Sequence, residues 1–229
     1  MPRGSPADDN RFVPSGDLTQ RIELRCSRVG AYCEAEAARK CSDYIGLLTK
    51  WNKQINLTSI ALDPIRDDGL DRLITEPLLA SRLITEQDSL LIDVGSGGGS
   101  PAIPMKIAAP WIRLLMVETK TRKSAFLREA IRALELDNAE VANCHLNELL
   151  TRVDVHEQAD VASIRAVRAD GDLWSTIAGL VRPGGRAFWF SSPSAPGVGS
   201  VVGHDFVVDS RQALPLLSTP VLLVLKRVH

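Results

Sequence analysis

The chain has 229 residues, 45% hydrophobic and 24% charged, with a formal net charge of -1. That is enough for one well-filled core plus an accessory piece, and a near-neutral balance excludes a general nucleic-acid-attracting field, so any RNA contact must come from a local basic patch. Four cysteines, Cys26, Cys33, Cys41 and Cys144, form no C-x-x-C pair, and neither a basic-then-apolar signal region nor a bilayer-length apolar run is present; this argues against a zinc site and for reduced thiols in a cytoplasmic protein.

In chain order, Met1 to Asp17 mixes Pro, Gly, Ser and Asp with few apolar anchors and reads as a disordered leader. Residues 18–87 read as mainly helical. Ile22, Leu24, Val29 and Tyr32 suggest a first helix, and Tyr44, Leu47, Leu48, Trp51 and Ile55 recur at helical steps in a second, where Tyr44 and Trp51 read as core filling. Asn and Thr close that helix within Trp51–Ser59, and Asp63-Pro64 is expected to start another, carrying Arg66, Asp71, Arg72 and Glu76. From residue 88 to the C-terminus, strands alternate with helices. Strands are expected at Leu90–Val94, Arg113–Glu118, Ala139–Asn143, Val161–Ile164 and Arg186–Phe190, the last after the turn Arg182-Pro183-Gly184-Gly185. Helices are expected at Pro101–Ala109, Lys120–Leu136 and Leu173–Leu180, and Asp205–Val208 and Val221–Lys226 read as two closing strands paired with each other. Such alternation predicts an α/β fold, a mostly parallel Rossmann-like sheet with helices on both faces. Ligands of these sheets sit beyond the carboxyl ends of the strands, which gathers Gly95, Glu118, Asn143 to Asn147 and Arg165 around one crevice.

The stretch with most chemical content is Leu90-Leu-Ile-Asp-Val-Gly-Ser-Gly-Gly-Gly-Ser-Pro101, a strand running into a glycine cluster and a helix start. Gly95, Gly97 and Gly99 permit positive φ and let a ligand lie on the backbone. The last position of a G-x-G-x-x-G fingerprint is Ser100 here, and Asp93 stands two residues before the first glycine. A carboxylate there repels a phosphate and holds an ammonium, which favours S-adenosylmethionine over a dinucleotide. Glu118 ends the second strand at close to the expected spacing of about 20 residues for an acid that binds ribose hydroxyls. Arg165 could pair with Asp93, Glu118 or Asp160, or hold a substrate phosphate or the cofactor's carboxylate. Lys120, Arg122, Lys123 and Arg128 are either phosphate contacts or a solvated helix face with Glu129. Cys144, flanked by Asn143 and His145, reads as a packed thiol, and no metal site is expected.

Four segments together resemble a known family: Trp51-Asn-Lys-Gln-Ile-Asn-Leu-Thr-Ser59, Ile92 to Pro104, Arg122-Lys-Ser-Ala-Phe-Leu-Arg128 and Ser163-Ile-Arg-Ala166. They are similar, in the same order, to RsmG, also called glucose-inhibited division protein B, the 16S ribosomal RNA guanine-N7 methyltransferases. The turn Pro183-Gly184-Gly185 is shared with class I methyltransferases in general. The resemblance implies S-adenosylmethionine as cofactor, held by Gly95, Ser100, Leu146, Asn147 and Arg165, with Glu118 on the ribose, to which the reading of the loop adds Asp93, Gly97 and Gly99. It also implies that residues 18–87 form a helical N-terminal cap before the methyltransferase core. It implies 16S ribosomal RNA or the 30S subunit as partner; Lys120, Arg122, Lys123 and Arg128 are the candidate phosphate contacts, and no DNA, no membrane and a monomeric state are expected. The chain departs from the family pattern at Ser100 and Ala102 in the loop, at Asn147, at Ser191-Ser192 and at Arg72-Leu73, where Arg-His is usual. Guanine N7 has a lone pair and no proton, so its methylation needs positioning and field, with Arg165 as the catalytic candidate. Three alternatives remain: a small-molecule methyltransferase, which would keep the loop and Glu118; a non-catalytic S-adenosylmethionine-binding assembly factor, which would bind the cofactor and transfer nothing; and an NAD-dependent oxidoreductase, for which Asp93 is misplaced.

Overall fold

A computed structural model describes residues 18–31, 33–168, 170–191, 204–214 and 221–229. The expected leader, Tyr32 and Ser192 lie outside these. Before the sheet come α1 (Leu18–Arg28), α2 (Ala35–Asn52), the short α3 (Asp67–Leu70), a π-helical turn at Asp71–Thr75, and α4 (Glu76–Ser81). Then follow β1 (Leu90–Val94), α5 (Ala102–Ala108), β2 (Arg113–Val117), α6 (Thr121–Ala133), β3 (Ala139–Ala142), a 3-10 turn at Leu146–Thr151, β4 (Ala159–Arg165), α7 (Gly171–Leu180), β5 (Val181–Ser191), β6 (Phe206–Ala213) and β7 (Val221–Arg227). The sheet runs β3-β2-β1-β4-β5-β7-β6. Its first five strands are parallel, and β7 pairs antiparallel with both β5 and β6. The order reverses between β1 and β4, so the carboxyl ends of those two strands mark the ligand crevice.

Side-chain alternation along the strands divides the core in two. Leu91, Leu114, Met116, Val161, Phe188 and Phe190 face the helices α1, α2, α4, α5 and α6. Leu90, Ile92, Val94, Leu115, Ala162, Ile164 and Trp189 face α7 on the other side. Parity then fixes the polar residues: Asp93, Ser163 and Arg165 alternate in phase with Leu91 and Val161, and Asp93 registers beside Met116 and Ser163. They therefore lie on the face covered by the N-terminal helices.

Three expectations are corrected. Asp63-Pro64 starts no helix. Leu62 and Ile65 form a bridge across it, and α3 begins at Asp67, because proline and its predecessor favour a turn here. Leu24 points away from the α1 stripe of Ile22, Arg25 and Cys26 and is 54% exposed. The turn Arg182 to Gly185 lies within β5, where Val181 pairs with Ala159 and Arg186 with Val161; its extra residues bulge out, with Gly184 at φ +77°. The closing strands pair as expected. Trp51 packs edge-on against Phe126 at 5.8 Å, and Tyr44 is fully buried. Cys144 packs beside the second cluster.

Candidate active site

Beyond Val94 the chain turns three times through left-handed backbone, at Gly95 (φ +70°), Gly97 (φ +51°) and Gly99 (φ +91°). Ser96 N–H donates to Val117 C=O at 3.0 Å and Gly99 N–H to Ser96 C=O at 2.7 Å, which ties the turn to β2 and to itself. A Cβ at Gly95 would sit 2.7 Å from Val167 Cγ2. Gly99 differs from the other two: it is buried, and a Cβ there would strike Ile103 and approach Leu127, so its missing side chain admits the core.

The N-terminal helices hold this loop from above. Tyr44 Oη donates to Gly98 C=O at 2.6 Å, and burial pushes its phenol pKa up, so it keeps its proton. Ser100 Oγ donates to Leu73 C=O at 2.8 Å. Asn52, at the end of α2, accepts through Oδ1 from Leu57 N–H (2.9 Å) and Thr58 N–H (3.0 Å), and donates through Nδ2 to Thr58 C=O (3.1 Å). One side chain thus folds the Trp51–Ser59 segment so that Leu57, Thr58 and Ser59 reach the glycine loop. Together these form a cavity of ≈ 290 Å³, walled by residues including Leu48, Leu57, Thr58, Ser59, Ile60, Arg72, Leu73, Gly95, Gly97, Ser100, Lys123 and Arg165.

Two opposite charges lie on the sheet side. Asp93 is 1% exposed; its Oδ1 accepts from Ser163 Oγ at 2.5 Å, while Oδ2 is buried with no partner. Burial pushes its carboxyl pKa up to about 6, against the opposing hydrogen bond from Ser163. Arg165 stacks over Phe190 (4.2 Å to the ring centroid) and donates to Glu76 Oε2 (2.8 Å), Ser100 Oγ (3.3 Å) and the Arg72 carbonyl. Its ion-pair partner is therefore Glu76, not Asp93, Glu118 or Asp160. Burial lowers the guanidinium pKa to about 10, which leaves it charged at neutral pH, and burial raises that of Glu76. Glu76 Oε1 and Thr75 Oγ1 are also buried without partners, beside the π-helical turn that carries Arg72.

Glu118, 7% exposed, holds the loop from the β2 side: Oε2 accepts from Gly97 N–H at 3.0 Å and Oε1 from Lys120 N–H at 2.8 Å. Asn143 Nδ2 donates to the carbonyls of Glu118 (2.8 Å) and Thr119 (3.0 Å). Leu146, half-buried, and Asn147, exposed, lie in the following 3-10 turn, outside the lining of the 290 Å³ cavity. Of the basic residues, Lys123 lines the cavity, Lys120 and Arg122 are exposed beside it at the start of α6, and Arg128 is two turns away, donating to Val141 C=O at 3.4 Å. Sequence reasoning missed the cap's share of the wall, Leu48, Leu57 to Ile60 and Arg72, and also missed Glu76. Nothing local marks the cap residues that bond the loop from 27 to 54 positions away, or Glu76, which meets Arg165 from 89 away.

The residues suit S-adenosylmethionine: an unpartnered buried carboxylate oxygen for its ammonium, a charged Arg165, a side-chain-free loop, and a strand-end acid with lone pairs left over. Sheet order and site define a class I S-adenosylmethionine-dependent methyltransferase. A sequence model of the family described as rRNA small subunit methyltransferase G (GidB) matches residues 37–194, and the chain belongs to that family. It is 33% identical over 173 residues to the ribosomal RNA small subunit methyltransferase G of Neisseria gonorrhoeae, covering 74% of this chain and 77% of that one. With the Syntrophotalea carbinolica protein of the same name it shares 30% identity over 220 residues, 92% of this chain and 98% of the relative. Among solved structures, Pyrococcus horikoshii TYW2 in complex with MeSAdo has the same fold, with a TM-score of 0.53 at 15% identity over 67% of this chain and 62% of that one.

Proposed function

We propose that this methyltransferase modifies N7 of a guanine in 16S ribosomal RNA, as free RNA or within the 30S subunit. Family membership supports ribosomal RNA as the substrate. One observation carries the choice of N7: among the described residues, the wall of the cavity includes no imidazole or thiol, and the carboxylates beside it, Asp93 and Glu118, are those assigned to the cofactor's ammonium and ribose. A nucleophile that must lose a proton, such as an exocyclic amine, a ribose hydroxyl or a pyrimidine carbon, would need such a group. Guanine N7 attacks with a lone pair and sheds nothing.

When bound, S-adenosylmethionine supplies an electrophilic sulfonium methyl. Asp93 Oδ2 would take its ammonium, Arg165 its carboxylate and Glu118 its ribose hydroxyls, with Leu146 and Asn147 on the adenine side, and Gly95 and Gly97 would leave the backbone bare. Arg165 is held in place by Glu76, Ser100 and the ring of Phe190, so its charge is positioned before the reaction begins. Lys120, Arg122 and Lys123 hold backbone phosphates, and the walls at Leu48, Leu57 and Ile60 keep water from the transfer. The enzyme acts as a monomer in the cytoplasm. Incubating it with labelled S-adenosylmethionine and undermethylated small subunits, then mapping the product, tests this: one 7-methylguanine in 16S ribosomal RNA is expected. Label on another atom, or no label although calorimetry shows cofactor binding, would refute it.

A further inference from the structure

A second cavity, of ≈ 310 Å³, adjoins the first and is lined by Ile60, Ala61, Arg66, Asp68, Gly69 and Arg72. Ile60 and Arg72 line both, so the two spaces adjoin at these side chains, whereas Asp68 lines the second alone. Part of its wall is apolar: a Cβ at Gly69 would lie 2.7 Å from Ile60 Cγ2 and 3.4 Å from Ile65 Cγ1, so the glycine lets Ile60 pack directly on this backbone. Arg72 is exposed and makes no ion pair among the described residues. Asp68 is the cavity's one carboxylate, 62% exposed. Gly69 N–H donates to its Oδ1 at 3.0 Å, and Arg66 Nε stands 3.5 Å from the same oxygen.

Resting on the guanine-N7 reading, we propose that this second cavity receives the target base and that Asp68 reads its Watson–Crick edge. Guanine carries N7 on its five-membered ring and the donors N1–H and N2–H2 on the far side of its six-membered ring. A base whose N7 points past Ile60 and Arg72 into the glycine-loop cavity turns those two donors back into the second cavity, the part that Asp68 lines and the first cavity does not share. Two adjacent donors match two carboxylate oxygens, the pairing by which acids recognise donor edges of bases. Adenine also has an N7, but it offers a bare acceptor at N1, which a carboxylate repels; the site selects guanine by rejecting the other purine. Ile60 and Gly69 supply the surface on which the ring lies, and Arg72 takes an adjoining phosphate.

The test uses the full chain, labelled S-adenosylmethionine, and small subunits reconstituted with guanosine or inosine at the mapped position. Inosine keeps N7 and N1–H but lacks the N2 amino group. Wild-type enzyme is expected to lose about tenfold in kcat/KM on inosine. Asp68→Asn is expected to lose about 10- to 100-fold on guanosine, the range for a lost two-point base contact. Its guanosine-to-inosine ratio should fall toward one, while cofactor affinity by calorimetry stays unchanged. Asparagine keeps an Oδ1 acceptor for Gly69 N–H, so the fold is retained; Asp68→Ala, monitored by thermal melting, checks this and should show the same loss. Wild-type rates in Asp68→Asn, or a slower variant that still prefers guanosine as strongly as wild type does, would overturn the proposal and leave N7 transfer standing, with the Arg66–Asp68 contact a surface ion pair. If wild-type enzyme forms no 7-methylguanine on guanosine subunits, the N7 reading itself fails and this one with it.

Discussion

Asp93 is the residue whose environment most constrains function. It is buried on β1 with one oxygen bonded to Ser163 and the other unpartnered, and its pKa is pushed up to about 6. Because the folded value exceeds the ordinary carboxylate value of about 4, the folded chain holds this proton more tightly than the unfolded chain does. The resulting stability is complete below the unfolded pKa and is lost as pH rises through about 6. Above that pH the free enzyme carries a desolvated carboxylate, and in the function proposed above the cofactor's ammonium would be its partner. Two expectations of opposite sign follow for Asp93→Asn, which cannot ionise. Its melting temperature, compared with wild type, should shift in the variant's favour between pH 4 and pH 7.5. Its affinity for S-adenosylmethionine should be weaker and independent of pH, whereas wild-type affinity should fall about tenfold from pH 7 to pH 5 as the carboxylate protonates. Calorimetric titration at several pH values decides it; an identical pH slope in wild type and variant would remove the ammonium from Asp93.

At the scale of elements, the parallel strands were legible because a strand covered on both faces reads as a continuous apolar run: Leu90 to Val94 and Arg113 to Val117 carry little but core residues. The glycine loop was legible because positive φ restricts residue type. The segment from α3 to α4 was not. Its string of Arg66, Asp67, Asp68, Asp71, Arg72 and Glu76 looks solvated, yet Asp71 is 1% exposed and Glu76 6%. Their neutralising partners come from far along the chain: Arg25 bonds both Asp67 and Asp71, Arg21 bonds Asp67 at 2.6 Å, and Arg165 bonds Glu76. No periodicity encodes a pairing across 42 to 89 residues. The Arg25–Asp71 pair anchors the π-helical turn to α1, and such turns recur where a side chain must be aimed, here Arg72. Removing one partner strands the other charge in the interior. Arg25→Ala should therefore cost about 3 kcal/mol in urea unfolding, more than Arg25→Ala combined with Asp71→Ala, which strands nothing. It should also slow methyl transfer, since the displaced turn carries one wall of the cavity. A double variant less stable than the single one would place the role of Arg25 in packing.

For the whole molecule, a net charge of -1 leaves RNA affinity to the placement of cations, and most arginines are already engaged. Arg39 pairs with Glu36 and Asp43, Arg132 with Glu129, Arg113 and Arg152 with Asp154, and Arg186 with Asp88. Around the cavity mouth the pattern reverses: Arg72, Lys120, Arg122 and Lys123 make no ion pair among the described residues. An unpaired cation condenses onto a phosphate and releases a counterion, whereas a paired one must first surrender its carboxylate. For single-stranded RNA each such phosphate contact contributes about 0.7 to the slope of log K against log salt. Filter binding of 16S ribosomal RNA across a salt series should show that slope shallower by about 0.7 each for Lys120→Ala, Arg122→Ala and Lys123→Ala. Arg39→Ala and Arg132→Ala should leave it unchanged. Arg128 separates the two accounts of the basic helix, because it lies on the same element but two turns from the mouth, against the Val141 carbonyl. If the whole face of α6 lay on RNA, Arg128→Ala would shift the slope as Lys123→Ala does; if only the mouth of the cavity engages the strand, it would not, and the position of Arg128 requires the second result.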